Sequence, residues 1–424
     1  FLEVRLLNWS DLKDKGFAVF GGAVSGGLDS CTVTHWLSEK GIDVKCFTVD
    51  LGQPDEEDLS SVADRMLACG ASAATILDGQ EALAIAGLKV IQSQSRYEGG
   101  YWNTTGIARP VTVEKILEEF HKENIEILFH GATGRGNDQV RFQLASNMIS
   151  PEVSVYAPWR DQEFLDMFPG RKEMIEYCES MSLPIRPARE SKYSTDANFL
   201  GLTHEAGDLE DVTLSPDFVD PGMGVWPWDA PDRPEYVEIK WSRGVPVEVD
   251  GLSVDLVGMF KYCNELAGRN GIGIGTHVIE NRFVGIKSRG IYESPGMELL
   301  GRSYEFLLQF ILDRRSREHF GDLSTLISRQ IYQGYWLDSA TKSAIAALKI
   351  YSDMASGTIR LKLYKGNVFF DTADDAFESM PFSLYTDDGS MEAEGSYDHK
   401  DAEGFLNVLG VSARNLGIRQ YEKD

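Results

Sequence analysis

Over roughly the first 180 residues, short apolar runs alternate with amphipathic stretches. Phe17–Ser25 predicts a buried strand, Ser30–Lys40 a helix ended by Gly41, and Val44–Val49 a second strand. A helix over Leu59–Ala68 stops near Gly70, a short strand follows at Ala74–Leu77, and Glu81–Gln92 and Val111–Lys122 predict two more helices. A strand at Ile125–Phe129 and a helix at Asp138–Met148 close the series. Strand–helix alternation at this spacing predicts an α/β fold with a parallel, doubly wound sheet covered on both faces. Such sheets bind ligands at the carboxyl ends of their strands, so chemistry is expected in the strand-to-helix loops.

After Pro184 the pattern changes. Residues 205–235 are rich in Pro, Asp and Gly and predict irregular structure. Tyr236–Trp241 and Val245–Val249, with the turn pair Asp250–Gly251, predict strands. Helices are expected at Leu256–Gly268, Tyr304–Glu318 and Ala340–Met354. Ile359–Tyr364 and Asn367–Asp371 flank Lys365–Gly366 as a hairpin, and Ala402–Leu409 predicts a terminal helix. The expected division is the alternating α/β part over 1–182, an α+β part over 183–392, and a terminal segment over 393–424.

Length and composition narrow the classes. A chain of 424 residues exceeds one ordinary core, and 42% hydrophobic with 25% charged residues is a globular, water-soluble balance. No run approaches 18 consecutive apolar residues, so no membrane span is expected. No charged-then-apolar leader opens the sequence. A formal charge of -25 argues against nucleic acid as the main partner, while a local nucleotide site built from backbone N–H groups remains open. Cys31, Cys46, Cys69, Cys178 and Cys263 form no CxxC pair, so neither a disulfide framework nor structural zinc is expected, and a reducing cytoplasm fits. The seven histidines show no HExxH, so no protein-caged metal is expected.

The run Ala23-Val24-Ser25-Gly26-Gly27-Leu28-Asp29-Ser30 stands where a strand gives way to a helix. Its glycines let the backbone turn tightly and approach a ligand. Ser25 and Ser30 add hydroxyls, and the free N–H groups of the helix start favour an anion. No lysine follows, so this is not the GxxxxGK[ST] loop, nor is it GxGxxG. SGGLDS resembles the pyrophosphate loop (PP-loop) of the ATP pyrophosphatases, which cleave ATP between the α and β phosphates and leave an adenylate on the substrate. The plain alternative is a Gly-rich connection with a helix cap at Asp29 or Ser30.

A second loop, His130-Gly-Ala-Thr-Gly-Arg-Gly-Asn-Asp-Gln-Val-Arg-Phe142, follows another strand. It offers a hydroxyl from Thr133, an amide from Asn137, a carboxylate from Asp138 and a guanidinium from Arg141. An amino acid needs donors for its carboxylate and an anion for its ammonium, and this loop has both. The bland reading is that Asp138 caps the helix and Arg141 pairs on its surface.

Together with LGQ at Leu51–Gln53, NTTGIARP from Asn103, YSTDANFLGLTHEAGDLE from Tyr193 and IENRFVGIKSRGIYESPG from Ile279, the two loops closely resemble the argininosuccinate synthase family. The resemblance runs from about Ala23 to beyond Gly410. It implies an adenine nucleotide α-hydrolase-like sheet, a synthetase domain and a C-terminal arm in a homotetramer. It implies that ATP is used, with Mg²⁺ bound mainly through phosphates, to join L-citrulline to L-aspartate through a citrullyl-adenylate, in arginine biosynthesis and the urea cycle. Ala23 through Cys31 then look like the phosphate loop, Val49 lines the adenine pocket, and Gly131 belongs to the nucleotide site. Thr133, Asn137 and Asp138 match aspartate-binding positions. Tyr101, Asn137, Arg141, Ser194, Thr203, Glu280 and Tyr292 match citrulline-binding positions.

Charge suggests Arg141 for the citrulline carboxylate, Glu280 for its ammonium, and Asp138 for the aspartate ammonium, whose proton it would also accept. Asp29 is the nearest carboxylate to a phosphate-bound Mg²⁺. Plain structural readings stand beside these: Tyr101 and Tyr292 as half-buried aromatics, Ser194 as a helix cap, and Arg282, Lys287 and Arg289 as a solvated basic face. Gly106 stands where some members carry a serine, with Thr105 placed to compensate, and Ser30 stands where threonine is usual. Rival activities are an adenylating enzyme for another ureido acceptor, an inactive binding protein, and a tRNA-modifying pyrophosphatase. The last predicts a basic surface and reactive cysteines, against the acidity seen here.

Overall fold

The computed structural model describes residues 8–56, 58–132, 136–185, 192–275, 278–374 and 398–421. Thr133 and the expected 392/393 boundary lie outside them.

The first part is a five-stranded parallel sheet made of β1 (Val19–Ala23), β2 (Asp43–Asp50), β3 (Ala73–Asp78), β4 (Ile127–His130) and β5 (Ser154–Tyr156). Their spatial order is β3-β2-β1-β4-β5. Helices α1 (Trp9–Asp14), α2 (Leu28–Glu39), α3 (Leu59–Ala68), α7 (Gln162–Met167) and α8 (Arg171–Ser180) cover one face. Their apolar sides bury Trp36, Met66 and Phe164 against Phe20 and Phe129. Helices α4 (Gln80–Gln92), α5 (Thr104–Glu123) and α6 (Asn137–Ile149) cover the other face around Phe47 and Phe120. The chain winds from β1 to one edge, then returns to lay β4 on the opposite side of β1. That reversal sets Ala23 beside His130 in register, so the loops after β1 and β4 open side by side, where a doubly wound sheet takes its ligand.

The second part holds two antiparallel sheets. One has β6 (Ser194–Asn198), β7 (Gly201–Glu205), β11 (Ile279–Asn281) and β12 (Lys287–Glu293) in the order β11-β12-β7-β6. The other has β8 (Glu235–Ser242), β9 (Val245–Val249), β10 (Leu252–Ser253), β13 (Gly357–Tyr364) and β14 (Asn367–Asp374) in the order β10-β9-β8-β13-β14. Helices α9 (Leu256–Arg269) and α10 (Pro295–Ile311) pack on the five-stranded antiparallel sheet and on α4, α12 (Ser339–Ser352) also packs on α4, α11 (Arg314–Tyr332) packs on α5 and α12, and α13 (His399–Tyr421) closes the described chain. One continuous core joins the parts: Leu88 and Trp102 from the first share it with Trp241, Phe260, Leu300 and Tyr304 from the second.

The alternating part follows the expected elements, with shifted ends. Helix α5 begins at Thr104, seven residues before the expected Val111, despite Pro110 inside it. A proline breaks one ladder bond, yet the surrounding residues are buried and their packing carries the helix through it. The expected single helix over Tyr304–Glu318 is two helices, because Asp313 turns extended and its side chain caps α11 at Ser316 N–H, 2.7 Å away. The terminal helix extends far beyond Ala402–Leu409. Strands β5, β6, β7, β11 and β12 were not legible as such. Ser194 opens β6 rather than capping a helix.

Candidate functional site

The loop after β1 is shaped by main chain. Gly26 sits at φ +72°, and a Cβ there would lie 2.6 Å from Arg65 Nη1 and 2.8 Å from Val62 Cγ1. Glycine is therefore required both by conformation and by space. Arg65 Nη1 donates to the Gly26 carbonyl at 2.7 Å, which fixes the turn from α3. Gly27 is the N-cap of α2, and the cap makes no side-chain hydrogen bond. The first-turn N–H groups thus point into the loop, where an anion is favoured. Ser25 N–H donates to Ser30 Oγ at 3.1 Å, and the two hydroxyls stand 3.5 Å apart. Val24 and Cys31 are buried beneath, as is Val49 on the adjacent strand. Asp29 accepts from the Trp159 indole at 3.2 Å; burial raises its carboxyl pKa, against that bond and the Arg171 charge. Gly131 is within a Cβ's reach of Asp29, so the second loop touches the first.

On the second loop, His130 is buried and stacks on Phe142 with centroids 4.7 Å apart. Its Nδ1 accepts from Ala132 N–H at 3.2 Å, and burial pushes its pKa down to about 3. It is a neutral structural ring. Asp138 accepts from Arg109 Nε and Nη2 at 2.9 and 2.8 Å on one oxygen, and from Arg141 Nη1 at 2.9 Å on the other. Burial pushes its carboxyl up, but the two guanidiniums outweigh that and hold it at about 2. The expectation that Asp138 accepts a proton fails on this ground: both oxygens are engaged by cations. Arg109, on α5, also pairs with Asp196 on β6. Arg141 is buried, gives Nε and Nη2 to the Tyr332 carbonyl at 3.1 and 2.9 Å, and lies over the Tyr332 ring. Its guanidinium is thus already oriented from three sides, not a surface pair. Asn137 bridges the parts, donating to Tyr332 Oη at 2.9 Å and accepting from Phe283 N–H at 3.2 Å.

The four-stranded sheet supplies the third wall. Residues directly opposite in an antiparallel pair share a face, and alternate residues along a strand return to it. Register puts Asp196, Thr203 and Tyr292 in one row and Ser194, Glu205 and Gly290 in the next, on the same face. Glu280 lies opposite Ser288, two residues before Gly290, and so joins that face. The expected Ser194, Thr203, Glu280 and Tyr292 are thereby brought together. The opposite face carries a buried His204–Glu293 pair at 2.6 Å, with Glu293 also accepting from Gly222 and Met223 N–H at 2.8 Å each. Tyr101 and Tyr292 contact at 4.4 Å, and burial raises both phenol pKa values. Thr105 N–H donates to Tyr101 Oη at 2.9 Å, and its hydroxyl stands 3.4 Å from that of Thr203.

Several residues of this site were not singled out from the chain. Arg109, Asp196, Glu205 and Tyr332 are tied to expected members by the contacts above. Asp196 and Glu205 lie two residues beyond Ser194 and Thr203, so a strand period of two would have pointed to them. Arg282 and Arg289 are not a solvated face. Arg282 pairs with Glu205 at 3.0 Å and Glu280 at 3.4 Å, and buried Arg289 donates to the carbonyls of Leu209 and Leu214. Ser194 is exposed.

The comparisons with known proteins agree along the chain. The model of the arginosuccinate synthase N-terminal HUP domain matches residues 21–184, and that of the arginosuccinate synthase C-terminal domain matches 193–416. The argininosuccinate synthase of Rhodopirellula baltica is 38% identical over 398 residues, covering 93% of this chain and 97% of its own. Those of Thermotoga maritima and Desulfitobacterium hafniense are each 36% identical, over 95% and 92% of this chain and 98% and 95% of their own. Both domain models and these relatives span the parallel sheet, the glycine-shaped loop and the charged sheet face, and the chain belongs to the argininosuccinate synthase family.

Proposed function

We propose that this chain condenses L-citrulline with L-aspartate at the expense of ATP, giving argininosuccinate, AMP and pyrophosphate in arginine biosynthesis. One observation supports this above the others. Ala23, the last residue before the phosphate loop, lies beside His130, which opens the loop carrying Asn137, Asp138 and Arg141. A triphosphate and two amino acids can therefore meet at one point.

A ureido carbon is a poor electrophile, because nitrogen lone pairs feed into it, and its oxygen is a poor leaving group. Adenylation corrects both: the citrulline oxygen attacks the α-phosphorus and pyrophosphate leaves. The aspartate amine then attacks the activated carbon and AMP leaves. Residues Ala23 to Cys31 hold the departing phosphates, with Val49 and Gly131 lining the nucleotide site. Thr133, Asn137 and Asp138 take aspartate; Tyr101, Thr105, Asn137, Arg141, Ser194, Thr203, Glu280 and Tyr292 take citrulline. Asp138 holds charge and position rather than a mobile proton. The chain's contribution is mainly prepaid orientation and fixed charge.

Mg²⁺ neutralises charge on the phosphates when bound. Asp29 would be the nearest protein carboxylate to an ion held mainly by the phosphate oxygens.

The long α13 exposes Phe405, Leu406, Val408, Leu416 and Ile418, which supports an arm that seats on another copy in a homotetramer. No helix among the described residues is long and apolar enough to cross a membrane. All five cysteines are free thiols, which supports a reducing, cytoplasmic setting.

The test is the nucleotide product. Purified protein with ATP, citrulline and aspartate should form AMP and pyrophosphate in equal amounts, and sustained AMP formation should need both amino acids. Accumulation of ADP would overturn the reading.

A further inference from the structure

The proposed reaction needs a proton acceptor that the groups so far assigned do not supply. Aspartate arrives as an ammonium, and its nitrogen attacks only as the free amine. Asp138 is held by two guanidiniums, and His130 is buried and faces Phe142. Glu280 is buried and paired with Arg282.

Glu205 differs from each of these. It ends β7 two residues beyond Thr203, opposite both Ser194 and Gly290, and so belongs to the substrate-facing side of the sheet. Its side chain is 40% exposed, so a ligand can reach it. Only Oε2 is engaged, by Arg282 Nη2 at 3.0 Å; Oε1 has no hydrogen-bond partner among the described residues. The charges acting on it are Arg282 after β11, Glu280 on β11, Asp138 on α6 and Asp196 on β6, while its β12 neighbour across the pair is the uncharged Gly290. Its half-buried position raises its pKa first, short of what full burial would do because water reaches the group; Arg282 opposes the rise, the three carboxylates add to it, and the outcome is about 7. A base near the working pH combines an available ionised form with useful proton affinity.

Resting on the reading above, we propose that Glu205 is a catalytic carboxylate that takes one proton from the aspartate ammonium. The freed lone pair forms the C–N bond to the isourea carbon. The C–O bond to AMP breaks and its electron pair leaves with the phosphate. One ureido N–H proton leaves with the pyrophosphate in the first step, so the isourea is neutral; in the second step one ammonium proton passes to Glu205 and then to solvent, and the remaining nitrogen protons stay on the product guanidinium. Arg282 is a positioning residue, because it holds Oε2 at 3.0 Å.

The test separates the two half-reactions in the intact protein. Citrulline-dependent exchange of labelled pyrophosphate into ATP reads the first, and aspartate-dependent AMP formation reads the second. Wild type must perform the exchange; its failure would sink the proposed function itself and not merely Glu205. In Glu205→Gln the aspartate-dependent kcat should fall about 100-fold, in the range general bases contribute, and at least tenfold more than the exchange falls. The acid limb of kcat/KM for aspartate, near pH 7 in wild type, should vanish in that variant, and Glu205→Asp should restore part of the rate. Equal losses in both half-reactions, a loss confined to the KM for aspartate, or an unchanged acid limb would each overturn the assignment. Glu205→Gln keeps the shape, and its citrulline-dependent exchange shows that it has folded; should it not fold, the pH profile of Arg282→Gln, which removes the cation that lowers the Glu205 pKa, provides the second readout. A shifted acid limb there supports the proposal, and an unmoved one overturns it.

Discussion

Between Ala23 and Ser30 the site is consecutive residues and mostly main chain, whereas on the four-stranded sheet it is side chains drawn from Ser194 to Tyr292. The loop needs little beyond Gly26 and the start of α2 to point N–H groups at an anion. The sheet face needs Arg109, Asp138, Arg141, Asp196, Glu205, Glu280 and Arg282 to balance one another before any substrate arrives. The two regions therefore fail differently. A change in the loop moves a leaving group's cradle, and a change in the network strands a charge.

Arg109→Leu tests the network most severely. It leaves the Asp138 and Asp196 carboxylates without their shared cation, and breaking such a partly buried set should cost about 3–5 kcal/mol. Urea unfolding measures it, and a loss below about 1 kcal/mol would mean that the pairs are only surface bridges. Gly26→Ala tests the loop. The new Cβ forces Arg65 or the turn to move, and a displacement of this kind should slow citrulline-dependent pyrophosphate release about 100-fold while unfolding shifts by only about 1–2 kcal/mol. Comparable damage to folding and to rate in both variants would erase the contrast.

A pH series sharpens it further. His130 is kept neutral at about 3 against an ordinary 6.5, so between these values the unfolded chain binds the extra proton. Stability on this account is level above pH 6.5 and falls as pH drops below it, by up to about 1.4 kcal/mol per unit. Asp138, depressed to about 2, adds its loss only below about pH 4, where the unfolded carboxyl takes its proton first. Glu205, raised from 4.5 to about 7, works the other way and gains stability as pH falls through that window. The His130 effect is therefore read as a difference: by thermal unfolding, wild type should lose stability relative to His130→Asn as pH falls from 6.5 to about 4, and the two should share the more acidic loss. The smallest effect is expected from Gly106→Ser. Its Cβ would stand 3.3 Å from Ile331 Cγ2 and 3.6 Å from Arg141 Nη2, a fit needing only slight adjustment. The KM for citrulline should change tenfold or less, the scale of one small group in a pocket.

The same contrast explains what the chain disclosed by itself. The parallel sheet was legible because each strand and helix carries its own period and stop signal, as at Gly41 and Gly70. The phosphate loop was legible because its residues adjoin. β6, β7, β11 and β12 were not, since TDAN, LTHE and IENR carry polar residues on a buried, ligand-facing side and so lack a strand's usual alternation. The resemblance supplied Ser194, Thr203, Glu280 and Tyr292, yet the ion-pair network beside them depends on partners as far as 87 residues apart, as Arg109 and Asp196 are. No local pattern encodes such a pairing. Asp138 illustrates the cost: its charge was readable, and the two arginines that fix its protonation were not.

The central claim is that loop and sheet serve a single reaction in which the ureido oxygen becomes attached to the α-phosphorus. Citrulline labelled with heavy oxygen at the ureido position decides it. After turnover with ATP and aspartate, mass spectrometry should find the label in the phosphate of AMP, one atom per argininosuccinate formed. Label in pyrophosphate, or unlabelled AMP beside labelled water, would contradict the account.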